Sequence, residues 1–171
     1  MPGPPDTPVI RPVAAGQAPA LRALRLRALA DAPAAFASTH SDESALEDGH
    51  WQRLVDETTT GAQATVAVAV DGPRWLGMAA GGWFQRDRGI AQLWGLWVDP
   101  AARASGTGAA LVRAVRDWSS AAGASFIRLG VIEPADGLRR FYAGLGFVTL
   151  DDPVPMPRDP SRLMAFMIRP V

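Results

Sequence analysis

The sequence predicts a mixed α/β domain built on one central sheet. Three observations predict it. Strand-like and helix-like segments alternate along the chain. Three consecutive strand-like runs between residues 64 and 98 are separated by turn signals. A glycine-containing loop then joins the last of them to a strongly periodic helix, as sheet-based α/β domains require.

The elements follow in order. Residues 8–14 read as a short strand through Val9, Ile10 and Val13. From about residue 16 to 32 the spacing turns helical, with Leu21, Leu24, Ala28 and Leu29 on one stripe until Pro33 ends it. Residues 34–42 read as a polar connection. A second helix is expected over 44–57, because Ser44 with Glu47 has the form of a capping box and Trp51, Leu54 and Val55 give an apolar side. Residues 64–70 alternate small and branched side chains before the turn Asp71-Gly72-Pro73. Residues 75–85 and 90–98 flank Gln85-Arg86-Asp87-Arg88-Gly89, which reads as a hairpin loop, so the three runs predict an antiparallel meander. A helix over about 107–122 presents Leu111, Val112, Val115 and Trp118 and stops at Gly123. Residues 126–132 form an apolar strand, 137–145 a short helix closed by Gly146, and 147–150 and 163–169 the final strands. A loop with Pro153, Pro155, Pro157 and Pro160 lies between those two.

Composition narrows the function. A chain of 171 residues fits one domain over 8–171 behind a flexible tail over 1–7. Formal net charge is zero, so the clustered basic excess of a nucleic-acid binder is missing. Cysteine is absent, which removes disulfides, thiolate zinc sites and a cysteine nucleophile. Two histidines, His40 and His50, do not make a metal site. No apolar run reaches the ~18 residues of a membrane span. Residues 1–8 have neither the basic nor the apolar region of a signal peptide. A cytoplasmic protein is expected. All basic residues are Arg, and with abundant Ala and Gly this suggests a GC-rich, bacterial source.

The segment richest in chemistry runs from Leu96-Trp97-Val98-Asp99-Pro100 to Arg103-Ala104-Ser105-Gly106-Thr107-Gly108-Ala109. A strand feeds an Arg-x-x-Gly-x-Gly loop, and a helix starts inside it. Glycines let the backbone turn tightly and approach a ligand. The unpaired amides of a helix start add partial positive charge at the same place. Arg103 can add a charge-assisted bond to a phosphate oxygen. The combination suits a pyrophosphate, and an ordinary tight turn is the plainer alternative. A P-loop is excluded because the chain has no Lys, and the dinucleotide fingerprint fails because its third glycine position holds Leu111.

This loop resembles that of the GNAT acetyltransferases, whose acetyl-CoA motif is Gln/Arg-x-x-Gly-x-Gly/Ala after the fourth strand. A second stretch agrees with the family: an apolar strand, then Phe141-Tyr142-Ala143-Gly144-Leu145-Gly146-Phe147, with the only tyrosine of the chain. The resemblance covers about residues 9–168. It implies a single-domain acyl-CoA N-acyltransferase fold, a mostly antiparallel sheet splayed between strands four and five, with flanking helices. It further implies acetyl-CoA as co-substrate, no metal, and an acyltransferase moving acetyl to a primary amine. Leu96, Trp97 and Val98 would pair with the pantetheine arm. The amides of Arg103, Ala104, Ser105, Gly106, Thr107, Gly108 and Ala109 would hold the pyrophosphate. Tyr142 would protonate the departing thiolate. A homodimer is also compatible with the family.

Direct attack of the amine is expected, with no cysteine to hold the acyl group. A backbone N–H near Leu96 is the candidate donor to the developing oxyanion. An alkylamine of pKa ~10.4 is mostly charged at neutral pH, a penalty of ~4 kcal/mol, so something must accept its proton. The strand glutamate that some members carry is missing here, and so is the asparagine that many carry before the tyrosine. The base stays open among Glu133, Glu43, His40 and a water chain, whereas His50 reads as a surface residue. Trp75, Trp83, Trp94 and Trp97 read as packing on the meander, and period-two alternation puts Trp94 and Trp97 on opposite faces. The proline-rich loop is expected to cover the acceptor cleft, with Arg158 meeting an anionic group. The acceptor is expected to be a small amine. A protein amine, or acyl-CoA binding without catalysis, are the alternatives.

Overall fold

The computed structural model describes residues 8–84 and 87–171. The expected tail over 1–7, and Gln85 and Arg86 of the expected hairpin loop, lie outside the described residues. The elements are β1 (Val9–Pro12), α1 (Ala18–Asp31), α2 (His40–Ser44), α3 (Asp48–Thr59), β2 (Ala64–Asp71), β3 (Arg74–Phe84) and β4 (Asp87–Val98). They continue with α4 (Thr107–Ala121), β5 (Phe126–Ile132), α5 (Asp136–Gly144), β6 (Val148–Thr149), β7 (Val154–Met156) and β8 (Asp159–Pro170). One sheet runs β1-β2-β3-β4-β5-β8-β6, with β7 paired to β8. Every pairing is antiparallel except β4 with β5.

The two faces of the sheet carry separate cores. On one face α4 buries Leu111, Val112 and Val115 against Ala67, Ala79, Leu93 and Leu129, and α5 adds Tyr142 beside Phe147. Small residues on β3 permit this approach: a Cβ on Gly81 would lie 2.4 Å from Val115, and one on Gly77 only 2.9 Å from the Trp97 carbonyl. On the other face α1 and α3 bury Leu21, Leu24, Leu29, Trp51 and Val55 against Val66, Val68, Met78 and Trp97. The stripe read from the sequence of α1 is therefore its buried face.

Several expectations need correction, among them the expected hairpin loop, of which Asp87 to Gly89 belong to β4. The Ser44/Glu47 pair does not cap a helix. Thr39 caps α2 instead, its Oγ1 accepting from the Asp42 amide at 3.1 Å. That cap starts a short helix whose first turn holds Asp42 and Glu43, where the dipole favours carboxylates. Ser44 ends it and its hydroxyl donates back to the Ser41 carbonyl, while Glu47 precedes α3 without a side-chain cap bond. The proline-rich segment, expected as a loop, is largely the β7–β8 hairpin, with Val154 opposite Met164 and Pro155 opposite Leu163. β7 pairs only with β8, so it is an edge strand that tolerates a residue without an N–H.

The parting of two strands positions everything that follows. β4 and β5 pair only from Ile90↔Phe126 to Leu93↔Leu129. Beyond Leu93, β4 stays with β3 as far as Gly77↔Val98. Beyond Leu129, β5 stays with β8 as far as Ile132↔Met164. The two halves of the sheet thus separate there, and the edge of β4 after Leu93 has no strand partner on the β5 side. A bulge sits at the same point. Ala80 faces Trp94 but Met78 faces Trp97, and Gly95 takes φ +67°. One extra residue reverses the alternation, so Trp94 and Trp97 share the α1/α3 face, against the strict period-two expectation. Leu93, Leu96 and Val98 accordingly all face α4.

Candidate active site

The β4–α4 connection is held from below and open above. The Asp99 amide donates to the Leu76 carbonyl at 2.8 Å, and Asp99 Oδ1 accepts from the Ala101 amide at 2.9 Å. Asp99 is also ion-paired with Arg27 of α1. Ala104 and Gly106 then take φ of +61° and +84°. Non-glycine residues adopt that region at a cost, so Ala104 marks a backbone forced into a specific path. Ser105 Oγ donates to the Ala102 carbonyl at 2.7 Å and lies 2.7 Å from Thr107 Oγ1. Among the described residues no backbone carbonyl takes the amides of Ala104, Ser105 or Gly106. The first amides of α4, at Thr107, Gly108 and Ala109, have no intrahelical acceptor by geometry. A Cβ on Gly108 would touch only Phe141 and Val98, at 3.5 and 3.7 Å. Six consecutive amides of this kind, on a positive helix end, form a fitting cradle for a pyrophosphate.

Arg103 lies beside that cradle but is engaged. Its Nε donates to the Val98 carbonyl at 3.0 Å, and its guanidinium pairs with Asp31 at the end of α1. Asp31 also accepts from Trp97 Nε1 at 2.9 Å. The Trp97 bond and the Arg103 bond hold the Asp31 carboxyl below its ordinary range. Sequence reasoning missed Asp31. Its only local signal is its place at the end of α1 before Pro33, and nothing there points to a partner 72 residues away.

Tyr142 sits where α5 packs against the sheet. Its ring contacts Phe141 and Phe147 edge-on, with centroids 5.1 and 5.6 Å away. The residue is only 4% exposed. Its hydroxyl has no hydrogen-bond partner among the described residues, and burial raises its pKa above the ordinary tyrosine value. The phenol therefore stays protonated and has a free donor. Its neighbour Phe141 touches the Gly108 position, which brings α5 alongside the start of α4.

On the α1/α3 face a cavity of about 480 Å³ opens at the bulge. Gly95 and Trp94 line it from the sheet, Arg25 and Leu21 from α1, Glu43 from α2, Trp51 from α3. Glu43 accepts two bonds from Arg25, at 2.9 and 2.7 Å, and Arg25 also lies 4.6 Å from the Phe36 ring. The indole of Trp94 stands over Gly82, where a Cβ would meet it at 2.8 Å. The Trp51 ring is buried with its Nε1 unpartnered. Arg158, on the β7–β8 turn, reaches this same cavity. His50 lines it too, whereas His40 opens α2 without lining it. Glu133 is elsewhere. Its carboxylate accepts from the Ala135 amide at 2.9 Å and from Arg139 at 2.7 Å, tying down the start of α5. The structure thus brings Glu43, Arg158 and Gly95 together, keeps Glu133 apart, and places the amide cradle and Tyr142 on the other side of β4.

Comparison with known proteins follows the same lines. The sequence model of the Acetyltransferase (GNAT) family matches residues 26–147. The fold matches a GCN5-related N-acetyltransferase from Kribbella flavida, 25% identical, over 98% of this chain and 100% of that one, with a TM-score of 0.75. It matches a GNAT-family acetyltransferase from Streptococcus pneumoniae, 17% identical, over 95% and 98%, with a TM-score of 0.80. It also matches a GNAT superfamily phosphinothricin acetyltransferase from Sinorhizobium meliloti in complex with acetyl-CoA, 18% identical, over 96% and 89%, with a TM-score of 0.74. No curated protein matches the chain by sequence.

Proposed function

Because the chain belongs to the GNAT acetyltransferase family, we propose that it moves the acetyl group of acetyl-CoA to a primary amine of a small molecule. One observation carries the reading. The unpaired edge of β4 ends in a cradle of free amides, and the bulge on that same edge opens the cavity on the opposite face. A chain laid along the edge of β4 would thus have its phosphates at one end and its reacting group beside the cavity.

Bound there, acetyl-CoA supplies an activated thioester. The residues of this chain do the rest. The amides of Ala104 to Ala109 hold the pyrophosphate, whereas the Arg103 amide, expected to share that role, donates to the Pro100 carbonyl. Backbone groups of Leu96, Trp97 and Val98 hold the pantetheine arm, as a further strand would. An amide near Leu96 donates to the charge that builds on the acyl oxygen, as preorganised donors do. The neutral amine attacks the acyl carbon, the carbon–sulfur bond breaks, and the Tyr142 phenol gives its proton to the departing sulfur. The amine loses one proton to a base. Glu43 stands at the cavity and favours that role over Glu133, which is tied to Arg139 and the Ala135 amide. Both carboxylate oxygens of Glu43 accept from Arg25, so it would act through a water rather than by direct contact with the amine.

The cavity volume lies in the range of small-molecule sites. This favours a small amine over a protein terminus or lysine. A cytoplasmic location fits the expected co-substrate. Among the described residues no helix is long and apolar enough to cross a membrane.

The test follows free thiol from acetyl-CoA against a panel of amines, after a thermal shift shows that acetyl-CoA binds. Amine-dependent thiol release supports the reading. Stabilisation by acetyl-CoA with no turnover of any amine would make the chain a binder without catalysis. Turnover of peptides alone would make the acceptor a protein.

A further inference from the structure

The cavity at Gly95 contains charges that acetyl transfer does not use. Arg25 and Glu43 satisfy one another through two bonds. Two other groups in the lining, both solvent-exposed at its rim, have no such partner. The guanidinium of Arg158 forms no ion pair or hydrogen bond among the described residues, and neither does the carboxylate of Asp42. They are not paired with each other either.

Arg158 is not on a free loop. β7 is paired to β8, Met156 beside the turn is buried, and Arg162 donates to the Ala34 carbonyl across from the hairpin. The turn is thus held over the cavity from both sides. A guanidinium stays charged at any working pH and presents a planar fork of donors. Its best complement is an oxyanion bound through two parallel hydrogen bonds. Trp94, 44% exposed, adds a flat apolar wall beside the point where the sheet opens. One unpaired cation and one unpaired anion around a small, partly apolar cavity complement a molecule that itself carries both signs. A polyamine would instead bring a like charge to Arg158.

We propose that the acceptor is an amphoteric small molecule, a primary amine that also bears a carboxylate-type acidic group. Arg158 binds the acid, and Asp42 attracts the ammonium form on its way into the cavity. This inference rests on the small-amine reading above and specifies its substrate class.

The test measures kcat/KM for aliphatic and aromatic amino acids, of α and ω type, each against its own primary carboxamide. The carboxamide keeps size and amine but removes the acid. Wild type is expected to favour the acids by about ten-fold or more, the scale of a charge-assisted bond. Arg158→Gln is expected to raise KM for the acids ~10- to 100-fold and abolish that preference, with KM for acetyl-CoA and the melting temperature unchanged. Arg158→Lys, which keeps the charge without the fork, restores part of it. Carboxamides or diamines used as well as acids by wild type would overturn the proposal. So would an Arg158→Gln variant that keeps the acid preference. If peptides are acetylated and neither small set is, the small-amine reading itself falls and this inference with it.

Discussion

Replacing Tyr142 by Phe separates a catalytic hydroxyl from a packing ring. The ring is held by Phe141 and Phe147, contacts that Phe at this position keeps. The hydroxyl has no partner among the described residues, although the residue is only 4% exposed. The hydroxyl is not among the side-chain atoms buried without a partner, so it keeps some access to solvent and its loss removes no internal bond. Removing it is therefore expected to leave stability level or raise it by up to about 1 kcal/mol. In a domain of this length that is a rise of no more than about 4 °C in melting temperature. Turnover should move the other way. Loss of a positioned acid lowers rates by about 10²–10⁴-fold, some 3–5 kcal/mol of barrier. Thiol release and thermal melting on the same preparation read both. A variant that melts more than about 5 °C lower would make Tyr142 a structural residue. A variant with unchanged thiol release would remove it from the reaction. The pH dependence gives an independent check, because Tyr142 is the only tyrosine in the chain and tyrosinate absorbance reports it alone. Burial raises its pKa in the folded state. The unfolded chain therefore releases this proton first as pH rises. Stability should fall above about pH 10, by up to about 1.4 kcal/mol per pH unit, and should not do so in the Phe variant. Tyrosinate appearing at the ordinary pKa in the folded protein would contradict the burial argument.

Three further outcomes are expected. Gly108→Ala should fold normally and keep stabilisation by acetyl-CoA, since its Cβ would make only ordinary contacts with Phe141 and Val98 and the family motif accepts Ala there, whereas Gly106→Ala, at a φ of +84°, should distort the loop and weaken that stabilisation; undiminished binding by the Gly106 variant would remove the loop from the cradle. Asp31→Asn should lower the melting temperature at neutral pH by weakening the tie to Trp97 and Arg103. Because the Asp31 pKa is depressed on folding, that loss should be full above about pH 4 and shrink as pH falls further, and a pH-independent loss would refute the linkage. Glu43→Gln should cost about 1–3 kcal/mol by leaving Arg25 without its carboxylate. If Glu43 also takes the proton of the amine, kcat should fall with KM for acetyl-CoA unchanged, whereas an unchanged kcat would remove Glu43 from the reaction.

Local features of the chain are legible wherever neighbours in sequence settle the matter. The periodic leucines of α1 and the apolar stripe of α4 are buried as read, because a helix places residues three and four apart on one face whatever it packs against. The Gly106-Thr107-Gly108 loop is a strand-to-helix turn with φ of +84° at Gly106, a conformation its sequence permits at little cost. The hairpin of β7 and β8 was not legible. Proline signals a loop by its missing N–H, and only an edge position makes that harmless.

The sequence by itself determined most of the order of helices and strands, the strand-to-helix turn after β4, and the family to which Arg103, Gly106, Gly108 and Tyr142 point. Those are properties of short stretches and their backbone preferences. The tertiary structure alone decided which charges meet. It tied Arg103 to Asp31 and Arg25 to Glu43, brought Arg158 to the same cavity as Trp94, and turned Glu133 toward Arg139. It also put Trp94 and Trp97 on one face, because a bulge at Gly95 adds a residue that strict alternation does not count. Such pairings join residues far apart in the chain, and they follow from how the two halves of the sheet separate rather than from any local preference.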